Sequence, residues 1–388
     1  MSSTRTNSNG DFRPERWASS PALDRPLKAN LVAARCSTLE TPDLRELVWF
    51  VQALSLHHGG LRWAAAEIAP DSIAPEDRVK WLASLCLDPA TNAELQLVAP
   101  KLHELLASYT RQRSDGGAIT EIGTLIEDAL NYCSHARCMV LVSGNPRIGK
   151  TWAAKRWTEL RPGRARFCEV PSSSDDSSFF MALARALGIT IESTVKRLKL
   201  QPRIETVLRC PDLTLVMDEC ANLYPGHCWR DHSRPARVSW IMGMVNAGAS
   251  IALLVTPNFF ASQQDYLDHS RWNDTQFYGR ISRYVTLPER LSLANLEKVA
   301  RAWLPHGEKR AIESLADMAN LSQKHAAAIE HAVKLASYFA KQDGRDRAEW
   351  PDVLRAIKSG GMPADTALAA AIEHAAARRK TPANGSRR

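Results

Sequence analysis

The chain has 388 residues, of which 45% are apolar and 24% charged, and it carries a formal net charge of +8. That length exceeds what one hydrophobic core usually supports, and the balance of residue types excludes a disordered, fibrous or collagen-like chain. The positive charge favours a polyanionic partner such as nucleic acid, while the eight cysteines form no CxxC pair and most sit inside apolar segments where a reduced thiol packs as a small hydrophobe, which suits a reducing cytoplasm.

Residues 1–30 are rich in Ser, Asn, Pro and Arg and read as a disordered arm, too poor in large apolar groups to offset the entropy of ordering. They contain no apolar signal-peptide core. No stretch of the chain approaches the ~20 apolar residues of a membrane span. Residues 31–115 repeat apolar side chains at helical spacing, as in Leu44, Leu47, Val48, Val51 and Leu54, and again in Leu102, Leu105 and Leu106, so a helical N-terminal domain is expected. Within it, Gly59 to Ala69 has the small-residue, amphipathic character of a helix-turn-helix entrance. Pro70 and Pro75 interrupt the second helix, which leaves a plain helical packing domain as the alternative.

The polar, glycine-containing run from Arg111 to Gly117 reads as a linker. From 116 to 288 helices alternate with short strands over 138–142, 165–170, 213–217, 251–255 and 284–287, a pattern that predicts an α/β fold with a parallel sheet covered on both faces. Residues 289–376 return to amphipathic helix and form a C-terminal lid, and 377–388 are a basic tail.

Gly144-Asn145-Pro146-Arg147-Ile148-Gly149-Lys150-Thr151 fits GxxxxGK[ST] and lies between a buried strand and a helix, where a phosphate-binding loop must lie. Its glycines let successive backbone N–H groups face phosphates, Lys150 reaches the β- and γ-phosphates of ATP, and the Thr151 hydroxyl is a ligand for Mg²⁺. Downstream, the apolar run Leu213 to Met217 ends in Asp218 and Glu219, the Walker B arrangement. Asp218 would hold Mg²⁺ directly or through water, and Glu219 would polarise the attacking water.

The order of GNPRIGKT, LVMDE, LLVTPN and QFYGRISRYVTLP resembles an AAA+ ATPase core with a helical lid. The GNP-type loop and the Asp218, Glu219, Asn222, Leu223 pattern resemble the transposition ATPases MuB, TnsC and TniB. That resemblance implies a DNA-binding ATP hydrolase that forms a ring or filament. It implies Asn258 as the sensor that bonds the attacking water or γ-phosphate, with Thr256 as the nearby alternative, and Arg280 as an arginine finger inserted by a neighbouring subunit, with Arg283 close enough to be confused with it. The lid segment Leu321 to His325 departs from many AAA+ proteins in offering Lys324 and no arginine, which points to slow hydrolysis or a lid that acts in assembly.

Lys196, Arg197 and Lys199 lie in a region that faces the central pore of such assemblies and are candidates for DNA phosphate contact. The loop from Trp229 to Arg237 is a second candidate. Cys220, His227, Cys228 and His232 fit no common zinc spacing, and a buried thiol after the Walker B strand is the plainer reading. The function expected is therefore that of a cytoplasmic AAA+ ATPase that assembles on duplex DNA and regulates target selection or recruitment for a transposase. The alternatives are a P-loop switch or scaffold in signalling or defence without a DNA role, and a helicase or initiator loader.

Overall fold

The structure, a computed structural model, describes residues 26–114, 117–191, 197–224, 235–270, 272–322 and 325–359. By packing the chain forms two compact units, one of Met1–Asp115, Ala129–Leu141 and Lys155–Tyr284 and the other of Gly116–Asp128, Val142–Ala154 and Val285–Arg388.

The first unit opens with five helices, α1 (Ala29–Cys36), α2 (Pro42–Ser55), α3 (Gly60–Ile68), α4 (Arg78–Leu87) and α5 (Asn92–Ser114). Pro42 at the first position of α2 and Asp43 in its first turn suit a helix start, the one by its fixed φ and the other by its charge at the positive end of the helix dipole. The connection from α2 to α3 is tight. A Cβ on Gly60 would lie 2.2 Å from the Leu54 carbonyl oxygen, and Gly59 takes φ 74°, so both positions call for glycine. Leu61, Trp63, Ala64, Ala65 and Ile68 of α3 are buried, which uses its apolar face for packing within the helical layer. Residues 69–77, with Pro70 and Pro75, separate α3 from α4.

The chain continues through α6 (Glu121–Ala136), β1 (Met139–Ser143), α7 (Lys150–Glu159), β2 (Ala165–Glu169), α8 (Asp176–Ala186), α9 (Arg197–Leu208), β3 (Thr214–Asp218), a 3₁₀ turn over Cys220–Leu223, α10 (Ala236–Asn246), β4 (Ser250–Val255), α11 (Pro257–His269), α12 (Thr275–Tyr278) and β5 (Ile281–Thr286). The strands form one parallel sheet in the order β2-β3-β4-β1-β5. β3 is parallel to β2, with Glu169 opposite Asp218, and parallel to β4, with Thr214 opposite Ser250. β1, β3 and β4 are buried at every position, which is why they read as unbroken apolar runs.

β5 is an edge strand with alternating exposure and starts at Ile281, three residues before the apolar run that marked it in the sequence. Ser282 lies on the exposed row with Tyr284 and Thr286, and Arg283 is half-buried on the opposite row. The opposite edge, β2, is tied to α2. The buried Arg166 guanidinium donates to Gln52 Oε1 at 2.7 Å and to the Trp49 carbonyl at 3.3 Å. Burial lowers its pKa to about 10, which leaves it cationic at neutral pH. Arg164 pairs with Glu46 at 2.6 Å, and the Trp49 indole donates to Cys210 Sγ at 3.2 Å.

In the second unit α13 (Leu293–Trp303), α14 (Lys309–Leu321), α15 (His325–Gln342) and α16 (Trp350–Ser359) pack as a helical bundle around Leu296, Ile312, Leu315, Ile329 and Val353. The starts of α6 and α13 hold each other. Glu121 N–H donates to Asn295 Oδ1 at 3.2 Å, and Ser292 N–H donates to Glu121 Oε1 at 2.9 Å. Among the described residues no helix is long and apolar enough to cross a membrane.

Candidate functional site

The loop from Gly144 to Gly149 leaves the buried end of β1 and feeds α7, whose first residue is Lys150. Two residues reverse its backbone, Arg147 at φ 66° and Gly149 at φ 95°. The left-handed conformation at a non-glycine such as Arg147 costs about 1–2 kcal/mol, a strain that the surrounding fold must support. Gly144 is required for a different reason, since a Cβ there would meet Leu287 Cβ at 2.9 Å and Ile148 Cδ1 at 3.0 Å, close to where Leu287 N–H bonds the Ser143 carbonyl at 2.8 Å. The Lys150 ammonium is folded into the loop, 2.7 Å from the Gly144 carbonyl oxygen and 2.6 Å from that of Asn145, and the residue is 6% exposed. A curled backbone with a buried ammonium at a helix N-terminus is an anion receptor.

At the end of β3 Asp218 is buried and Glu219 is exposed. Glu219 takes φ 55°, ψ 38°, in the left-handed region like Arg147, and its N–H bonds Asp218 Oδ1 at 2.9 Å. The reversal ends the strand and swings the chain into the 3₁₀ turn, so that consecutive carboxylates have unlike surroundings. Cys220 behind them is fully buried with its thiol on the Met217 carbonyl, and burial, reinforced by the Asp218 carboxylate, raises its pKa well above the ordinary thiol value.

Residues 133–261, about a third of the chain and the stretch that holds both motifs, match the family model described as AAA domain. This stretch is similar to an AAA domain. No curated protein matches the chain in sequence. Among solved structures, the Aeropyrum pernix ORC2 protein in its ADPNP-ADP complexes is 15% identical with a TM-score of 0.46, covering 62% of this chain and 67% of that one. The Thermotoga maritima RuvB Holliday junction branch migration motor is 13% identical with a TM-score of 0.38, covering 61% and 67%.

Around the strand ends the structure revises the surroundings of several residues. α11 begins at Pro257, so Asn258 stands in the first turn of a helix rather than at a strand end, and Thr256 is the extended residue that precedes it. Asn258 lines a cavity of about 440 Å³ together with Ser172, Asn222, Tyr224, Ser262 and Asp265. Arg280 precedes β5 and donates from Nε to Asn246 Oδ1 at 2.8 Å and from Nη1 to the Gln276 carbonyl, while Arg283 lies on β5 with its guanidinium 5.6 Å from the Tyr132 ring centroid.

Arg237, expected in a DNA-facing loop, is 2% exposed and bonded within the domain, which removes it as a phosphate contact. Lys196 lies outside the described residues, as do His227, Cys228, His232 and Lys324; Arg197 and Lys199 fall in the first turn of α9. Among the described residues no group of three or more His, Cys, Asp or Glu could hold a metal ion.

Sequence reasoning overlooked Arg237 as an organising residue. It bonds carbonyls, which leave no trace in residue type. The tether of Asn222, whose side-chain amide donates to the Val170 carbonyl at 2.9 Å, was equally invisible.

Proposed function

We propose that the protein binds and hydrolyses ATP, and that in the ATP state copies of it assemble on duplex DNA and mark or select a site for a transposase-like partner in the cytoplasm. The observation that carries the ATPase reading is the loop from Gly144 to Lys150, a phosphate receptor by its backbone reversals and its buried ammonium, set within a stretch similar to an AAA domain. ATP phosphates would bind the N–H groups of this loop and Lys150. Mg²⁺, which neutralises phosphate charge, would be held by Thr151 and Asp218, hard oxygen donors of the kind the ion prefers. Glu219 orients water toward the γ-phosphorus and accepts its proton, and Asn258 or Thr256 steadies that water. Arg280 from a neighbouring copy, or Arg283, stabilises the charge that develops.

The DNA reading is supported by the net charge of +8 and by the basic run Lys196, Arg197, Lys199. The test is ATP turnover and duplex-DNA anisotropy at several salt concentrations with ATP, ADP and no nucleotide. Expected are DNA-stimulated turnover and ATP-dependent binding of low sequence preference. Substituting all three basic residues with Ala should weaken binding to all sequences alike and lower the log–log salt slope by about 0.9 for each phosphate that is no longer neutralised. Protein that hydrolyses ATP yet ignores duplex DNA at low salt in every nucleotide state would instead favour the protein-directed switch.

A further inference from the structure

The turn that carries Glu219 is held by one buried side chain from another helix. Arg237, the second residue of α10, has a side chain 1% exposed. Its Nη1 donates to the Asn222 carbonyl at 2.7 Å; its Nη2 donates to the carbonyls of Ser173 at 2.7 Å and Asp175 at 3.0 Å; its Nε donates to Asp176 Oδ1 at 3.2 Å. The guanidinium carbon lies 5.3 Å from the Phe179 ring centroid. The planar fork thus joins the loop after β2, the start of α8 and the turn after β3.

The connection to Glu219 is short. Asn222 N–H bonds the Glu219 carbonyl at 3.1 Å, and the Asn222 side-chain amide bonds the Val170 carbonyl at 2.9 Å. Glu219 itself stays in a left-handed conformation that a free chain disfavours, so it needs external support to persist. A lysine could supply the charge of Arg237 but not four bonds in a rigid plane.

We infer that Arg237 is a positioning residue for ATP hydrolysis, which fixes the turn of Glu219 through Asn222 and does not touch nucleotide. The inference rests on the ATPase reading above.

The test compares wild type, Arg237→Lys, Asn222→Ala and the double variant for ATP affinity, kcat, KM and amide hydrogen exchange over residues 214–224. ATP affinity and KM should stay within about twofold, and kcat should fall by about tenfold in Arg237→Lys and less in Asn222→Ala. The double variant should be little worse than Arg237→Lys, because both changes release the same turn. Exchange should quicken at the turn and not in β4. Should Arg237→Lys fail to fold, Asn222→Ala, which removes a single bond, carries the same expectation of lower kcat at unchanged KM.

Unchanged kcat in the folded variants overturns the inference and leaves the ATPase reading intact, as do losses that multiply in the double variant or fall equally on affinity. Wild-type protein that binds ATP without turning it over overturns both.

Discussion

In the proposed site each residue of the loop from Gly144 to Thr151 would have a separable job, and single substitutions should separate them. Lys150→Ala removes the ammonium and should abolish most ATP affinity in calorimetry while the melting temperature of the nucleotide-free protein changes little. Glu219→Gln keeps the shape of the side chain and loses its basicity, so ATP should still bind while turnover drops by about 10² or more; near-normal turnover would show that another group orients the water. Gly149 permits a cleaner backbone experiment. A Cβ there meets nothing within 4 Å, so Gly149→Ala tests only the φ of 95°. A stability loss of about 1–2 kcal/mol in denaturant titration is expected from strain alone.

At the scale of elements, an ion pair helps to hold the joint between α15 and α16. Arg345 donates to both Asp352 oxygens, at 2.6 Å and 2.8 Å, and Glu349 N–H bonds the same carboxylate at 2.9 Å. These bonds, Arg345 foremost, lower the Asp352 pKa below the ordinary carboxylate value, and Asp352 in turn raises that of Arg345. A carboxylate with a depressed folded pKa contributes stability that is present above its unfolded pKa and lost as pH falls through its folded pKa. The bundle should therefore weaken below about pH 4, the unfolded carboxylate range. Asp352→Asn should cost about 1–2 kcal/mol at neutral pH, the low side for a buried pair because the Arg345 side chain is 33% exposed, and should flatten the acid limb of the stability curve. Chemical denaturation followed at pH 7 and pH 3.5 checks both.

At the scale of the whole molecule the proposal makes hydrolysis a property of an assembly. Within one copy Arg280 is bonded to Asn246 and Gln276, so service as a finger requires it to leave those partners when copies meet. Arg280→Ala and Glu219→Gln proteins, each slow alone, should partly restore turnover when mixed, since some junctions then pair an intact arginine with an intact glutamate. No restoration at any ratio, with mixed assembly verified, would assign the trans role elsewhere, Arg283 being the nearest candidate.

The sequence by itself determined the parallel α/β core, because β1, β3 and β4 are buried on both faces and so appear as apolar runs, and it placed the loop from Gly144 to Gly149 between a buried strand and a helix. Asp218 and Glu219 were legible for the same reason, as neighbours at the end of such a run. The edge strand β5 was only half legible, since Ser282 on its exposed row and half-buried Arg283 on the other break the apolar run. Tertiary structure alone decided the rest. Arg166 and Arg237 look in sequence like two of many surface cations. Their burial depends in part on carbonyls and amides that folding brings in from as far as 117 residues away. Asn258 belongs to α11 because Pro257, with its preset φ, starts that helix two residues after β4 ends. Carbonyl oxygens are the same at every position of every chain, so residue type carries no record of which side chain will reach them.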